Sequence, residues 1–172
     1  MRRTFDEGKP ELLDVPQPAN PDLEASLQSL QVLNQYFGAY SLVRHFMRRW
    51  LERGRTYRLL DLATGFGDIP RMIVVWARKH GISVRIDAID LQPATLEIAR
   101  RASAGFPEIQ YIRADARNYC EAITYDIVCC SLAVGRSSTE PITSSLDPGC
   151  PTPSRSRQKS GPICAITSRR PL

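Results

Sequence analysis

The residues able to do chemistry in this sequence are aspartates set around glycines. Asp61-Leu62-Ala63-Thr64-Gly65-Phe66-Gly67-Asp68 encloses small residues between two carboxylates. Small residues let a backbone approach a ligand closely, and a helix that starts after such a loop offers unpaired amides. Asp90 closes the strand-like segment Val84–Asp90 and could accept hydrogen bonds from both hydroxyls of a ribose. Asp115-Ala116 offers a carboxylate for the amino hydrogens of an adenine. Three such sites at three successive strand ends describe a nucleoside lying across a sheet.

The type of nucleoside follows from what the loop lacks. A dinucleotide fold prefers G-x-G-x-x-G, with the third glycine allowing close helix packing. Here the run is Gly65-Phe66-Gly67-Asp68-Ile69-Pro70, so proline replaces that glycine. Asp68 also stands where a pyrophosphate would sit. It would repel phosphate but suit a ligand bearing an ammonium group. The methionine part of S-adenosylmethionine fits better than NAD, which leaves a nucleotide-dependent oxidoreductase a distant third.

These residues need elements to hold them. Arg58–Leu62 has the pattern of a short buried strand, followed by a glycine loop at Ala63–Gly67 and a helix through Arg71–Arg78. Val84–Asp90 is a second strand, Pro93–Ala102 a helix, Ile109–Arg113 a third strand and Tyr125–Leu132 a fourth. Strands alternating with helices call for right-handed crossovers and a parallel sheet. The expected fold is α/β, doubly wound and Rossmann-like, with about four strands in the order 3-2-1-4. Ahead of it, Asn20-Pro21 makes a helix start, and Leu23, Leu27, Leu30, Asn34 and Phe37 follow at helical spacing up to Gly38. Val43, Phe46, Met47 and Trp50 share one side of a second helix ending near Gly54. Such helices usually cover a core; a lid over a substrate pocket is the alternative.

Candidate bases and metal ligands are few. His45 lies among polar positions of its helix, and His80 precedes Gly81 at a helix C-terminus, where a cation favours the dipole. Neither recommends itself as a base, so no catalytic residue is assigned. The five cysteines form no C-x-x-C pair, and Cys129-Cys130 alternate faces on a strand, which argues against structural zinc.

In this order the motifs resemble those of class I S-adenosylmethionine-dependent methyltransferases. The form Asp-Leu-Ala-Thr-Gly-x-Gly-Asp at 61–68 is similar to the first motif of the ubiquinone/menaquinone C-methyltransferase branch. Ile89-Asp90-Leu91-Gln92-Pro93 resembles the second motif, Arg113–Ala116 the third and Tyr125–Ser131 the fourth, over about residues 55–134. The resemblance implies a cofactor loop of Ala63, Thr64, Gly65, Phe66 and Gly67. It also implies Asp61 shaping that loop or receiving the methionine amine, and Asp90 with Leu91 at the ribose. Asp115 and Ala116 would flank the adenine, and Ser131 or Leu132 would border the reacting methyl. Against this, Asp61 could simply cap the loop and Asp115 the turn after its strand. The implied reaction is in-line transfer of a methyl group from a sulfonium to an oxygen, nitrogen or carbon of a small-molecule acceptor.

Composition bounds the rest. No apolar run approaches the roughly 18 residues of a membrane span, and five cysteines without a secretory signal point to a cytoplasm. Of the net charge of +5, all but +1 belongs to the tail. Residues 1–134 hold 17 Lys+Arg and 16 Asp+Glu, a net of +1, whereas 135–172 hold six and two, a net of +4. That distribution points away from nucleic acid, and nothing bears on oligomeric state. The expected organisation is an irregular lead at 1–20, helices at 21–54, a partial cofactor domain at 55–134 and a disordered Ser/Pro-rich tail at 135–172. The family's sheet has seven strands, three of them after the fourth motif, so the chain reads as truncated there, with strand four at an open edge. A non-catalytic cofactor-binding remnant is the alternative to an active enzyme.

Overall fold

The computed structural model describes residues 18–116, 119 and 125–131, and the backbone of 164–168. For Ser131 the backbone alone is described, and Leu132 lies outside the described residues. In chain order the elements are α1 (Pro21–Tyr36), α2 (Ala39–Trp50), β1 (Thr56–Leu62), α3 (Asp68–His80) and β2 (Ser83–Asp90). They continue with α4 (Pro93–Ala102), β3 (Ile109–Arg113), β4 (Ile127–Ser131) and β5 (Cys164–Ser168).

Local chemistry fixes the ends of these elements. Asn20 caps α1, its side-chain oxygen accepting from the Leu23 amide at 2.8 Å, and Pro21 occupies a position that needs no amide hydrogen. Gly38 turns the chain between α1 and α2 at φ +90°, a left-handed conformation that glycine adopts without a Cβ penalty. The Gly81 amide closes α3 on the carbonyls of Ala77 and Arg78.

The sheet order is β3-β2-β1-β4-β5. β1 to β4 are parallel in the order 3-2-1-4, as the alternation of strands and helices predicts. Beyond β4 the sequence offers only Ile163–Ile166, too short and isolated to be read as a strand; the structure makes Cys164–Ser168 a strand, β5, antiparallel to β4, pairing Ile127 with Ser168 and Ser131 with Cys164. The edge expected at β4 is therefore covered, and residues 164–168 depart from the expectation of an unstructured tail.

Register decides which side chains meet. Asp61 pairs with Ala88 on one side and Cys129 on the other, and Leu59 pairs with Ile86 and Ile127. Side chains alternate along a strand, so Leu59, Asp61, Ile86, Ala88, Ile127 and Cys129 share one face. That face packs on α2 and α3 in the main core, with Val43, Met47, Ile73 and Val74 fully or almost fully buried. A second cluster joins Leu23 and Leu27 of α1 to Phe66, Ala94 and Ile98. Thus α1 rests on the glycine loop and α4, not on the main core.

Candidate functional site

The loop after β1 is the centre of the site. Ala63 is the one non-glycine residue with positive φ among the described residues, at +53°, and Gly65 and Gly67 follow at +54° and +71°. Three left-handed residues in five fold the chain tightly enough for the Gly67 amide to reach the Thr64 carbonyl at 2.9 Å. The Thr64 amide bonds the Ile89 carbonyl at 2.9 Å, which ties the loop to the end of β2. Any Cβ at Gly67 would collide with the Tyr111 hydroxyl, so the third strand limits this position to glycine.

Asp90 joins the sites at strands one and two. Its Oδ2 accepts from the Gly65 amide at 2.9 Å and its Oδ1 from the Gln92 amide at 3.0 Å. The Asp90 carbonyl accepts from the Ala114 amide at 3.1 Å, which brings the end of β3 alongside. Asp61, the five loop residues, Asp90, Leu91, Asp115 and Ala116 all lie at or just beyond the carboxyl ends of β1, β2 and β3. Ser131 ends β4 on the other side of β1. Leu91 is exposed, and Asp115 and Ala116 are half-buried.

Asp61 is the electrostatic anomaly. It is 1% exposed, and neither carboxylate oxygen has a hydrogen-bond partner; the buried Thr64 hydroxyl is likewise unpartnered. Burial raises the Asp61 pKa from 3.8 to about 7. The nearby Thr64 hydroxyl tempers the rise, and the charges of Asp68 and Asp90 add to it. A buried carboxyl without partners is costly, and costlier once ionised. A cation placed against Asp61 would relieve that cost, so the residues fit a ligand carrying an ammonium group at this end of the loop.

Asp68 is corrected by the structure. The sequence offers it as a partner for a ligand's ammonium group; it is instead buried, and its Oδ2 accepts from Asn34 Nδ2 at 3.0 Å and Tyr40 Oη at 3.1 Å. Burial, the Asp68 charge and the hydrogen bond to it hold the Tyr40 phenol above its ordinary pKa, so it remains a donor. Asp68 fastens both N-terminal helices to the start of α3. In the sequence Asn34 stands only as a member of an apolar stripe, and nothing near Tyr40 marks it as a partner of Asp68.

A second set of missed residues braces the loop from below. Arg71 Nη1 donates to the Phe66 carbonyl at 2.7 Å and to Ser103 Oγ at 3.2 Å, with its guanidinium 4.5 Å from the Phe66 ring centre. Ser103 Oγ meets the Tyr111 hydroxyl at 2.8 Å. No spacing rule links Arg71, Ser103 and Tyr111; only the fold brings them together.

The histidines sit elsewhere. His45 is exposed on α2. His80 closes α3, with its Nδ1 2.7 Å from the Trp76 carbonyl and its ring stacked on Trp76 at 4.1 Å. That is the opposite end of α3 from Asp68.

A parallel 3-2-1-4 sheet with a glycine loop after β1 and an acid at the end of β2 is a Rossmann-like fold. Two solved structures share it. One, described as an S-adenosyl-L-methionine-dependent methyltransferase of Methanococcus maripaludis, is 16% identical with a TM-score of 0.50, over 70% of this chain and 55% of that one. The other, described as a class I S-adenosylmethionine-dependent methyltransferase of Listeria monocytogenes, is 13% identical with a TM-score of 0.53, over 70% and 42%. The chain belongs to the ubiE/COQ5 methyltransferase family, whose sequence model matches residues 28–141. A 2-phytyl-1,4-naphthoquinone methyltransferase of Thermosynechococcus vestitus is 34% identical over 80 residues. That match spans 46% of this chain and 34% of the relative's length.

Proposed function

We propose that this chain binds S-adenosylmethionine across the carboxyl ends of β1, β2 and β3 and serves methyl transfer to a small-molecule acceptor. The carrying observation is Asp61, a buried carboxyl without a hydrogen-bond partner beside a loop whose amides are otherwise organised by Asp90 and Ile89. Asp61 would meet the ammonium of the methionine part, Asp90 the ribose, and Asp115 with Ala116 the adenine. The sulfonium supplies an activated methyl group, so the protein's part is alignment and electrostatics. Gly65 lets the backbone come close to the ligand, and Gly67 makes room for Tyr111. Arg71 and Tyr111 hold that backbone in place, and Asp68 keeps α1 and α2 over it. Ser131, at the end of β4, borders the acceptor side.

The acceptor is proposed by analogy with the naphthoquinone methyltransferase relative: an aromatic or quinone-like ring with a nucleophilic ring carbon or hydroxyl. Calorimetric titration with S-adenosylhomocysteine tests the cofactor site, with methylthioadenosine as comparison because it lacks the amino-acid part. Micromolar binding of the first and much weaker binding of the second support the reading. Equal affinities would remove Asp61 from it, and no binding by folded protein would defeat it. Binding without turnover on any quinone or phenol would leave a cofactor-binding unit rather than an enzyme.

A further inference from the structure

We propose that a groove across the amino-terminal halves of β1, β2 and β3 binds a small organic molecule through its phosphoryl group. The groove has a volume of about 510 Å³ and is lined by Arg58, Arg85, Asp87, Pro107, Glu108 and Gln110. Sites for metabolite-sized ligands run from roughly 300 to 1,000 Å³. Register sets the polar residues side by side, because Arg58 pairs with Arg85 and Asp87 with Gln110. Side chains alternate along a strand, so these four share the face turned away from Asp61, α2 and α3. The groove is thus on the other face of the sheet from Asp61 and towards the other end of the strands from the glycine loop.

Charge selects the ligand. Two arginines directly opposite on neighbouring strands repel each other. The fold relieves one of them: buried Asp87 takes Arg58 Nη2 at 2.9 Å and Arg58 Nε at 3.3 Å on the oxygen that also accepts from Tyr125 Oη at 2.8 Å. Arg58 is further held over the Tyr125 ring, 5.5 Å from its centre. Glu108 is equally committed, through two bonds of 2.7 Å from Arg78. Both carboxylates of the groove are therefore occupied, and Arg85, exposed beside Arg58, has no ion-pair partner among the described residues. An anion shared by the two guanidiniums would turn their repulsion into binding. A phosphoryl dianion meets two such planar forks better than a singly charged carboxylate does. The space exceeds that of bare phosphate, and exposed Gln110, whose amide both donates and accepts, suits the hydroxyls of an attached body. This inference stands independently of the cofactor reading.

The test is calorimetric titration of the full chain at low salt with ribose 5-phosphate, inorganic phosphate, acetate and ribose. Ribose 5-phosphate is expected to bind, inorganic phosphate more weakly, and acetate and ribose not measurably. Arg85→Glu should weaken ribose 5-phosphate about tenfold or more at an unchanged melting temperature. Gln110→Glu, which sets a carboxylate beside the same position, serves if that variant does not fold. Arg49→Glu changes the net charge equally on exposed α2 and should leave the affinity as it is. Absence of binding, equal binding of ribose or acetate, or undiminished affinity in the Arg85→Glu protein would overturn the proposal. So would an equal loss in Arg49→Glu, because the anion would then answer only to overall charge. Inorganic phosphate binding as tightly as ribose 5-phosphate would overturn the organic body of the ligand.

Discussion

Asp61 is where stability and binding oppose each other. Its pKa is raised in the fold to about 7, while in the unfolded chain it titrates near its ordinary 3.8. Between those values the folded protein holds a proton that the unfolded chain has lost. Stability from this group is therefore full below pH 4, falls as pH rises towards 7 and is level above. Asp61→Asn keeps the shape without the charge, so the ligand-free variant should gain on wild type as pH rises, by a few kcal/mol at pH 8 and little at pH 4. Thermal unfolding at the two pH values checks it, and a pH-independent difference would refute a titrating Asp61. The same variant should bind S-adenosylhomocysteine more weakly, since the ammonium loses its counter-charge. Asp90→Ala tests the neighbouring role. It removes the acceptor of both the Gly65 and the Gln92 amide as well as the proposed ribose contact, so affinity should fall more than tenfold, or more than about 1.4 kcal/mol. Unchanged affinity in titration calorimetry would show that the second motif does not hold the ligand.

At the scale of elements, the fastening of α1 and α2 on α3 depends on one carboxylate. Asp68→Ala leaves the Asn34 amide and the buried Tyr40 hydroxyl without their acceptor and should cost about 2 kcal/mol. Asp68→Asn retains an acceptor oxygen and should recover much of that loss. Hydrogen exchange should quicken through residues 21–36 in the alanine variant, whereas the amides of β1 and β2 should stay protected because their core is separate. Uniform loss of protection would mean that α1 is part of the main cooperative unit. Strand alternation, the glycine loop after β1 and the Asn20 cap are local patterns, and each is legible in the sequence. The role of Asp68 is not, because its partners lie 34 and 28 positions away and nothing local distinguishes a carboxylate aimed at a ligand from one aimed at a helix. The Arg71–Ser103–Tyr111 brace escaped for the same reason, since three elements supply it. Leu30 and Phe37 were legible as an apolar stripe but not as its exposed end, which depends on where packing partners stop.

For the whole molecule, the decisive feature is the outer edge of the sheet. Cys164–Ala165–Ile166 is a short apolar run within a Ser/Pro-rich segment, and a strand of that length is marginal until a partner is supplied. The partner is β4, more than thirty positions earlier, in an antiparallel register that no neighbouring residue announces. With β5 in place, the outer hydrogen-bonding groups of Ile127–Ser131 are satisfied by backbone, whereas without it they form an unpaired edge. A chain ending at residue 135 should therefore melt at lower temperature and self-associate with rising concentration, and the self-association should weaken when a charge is placed on the strand by Val128→Lys. The site bears on this outcome as well, because β4 pairs Cys129 with Asp61 and so forms one wall around that carboxyl. Loosening β4 should admit water to Asp61, lower its pKa and flatten the pH dependence of stability that the intact chain shows. Melting temperature and sedimentation velocity of the shortened chain, each at pH 5 and pH 8, read both consequences. A monomer with unaltered melting at both pH values would show that β5 contributes nothing to the sheet and that β4 holds its place through β1 alone.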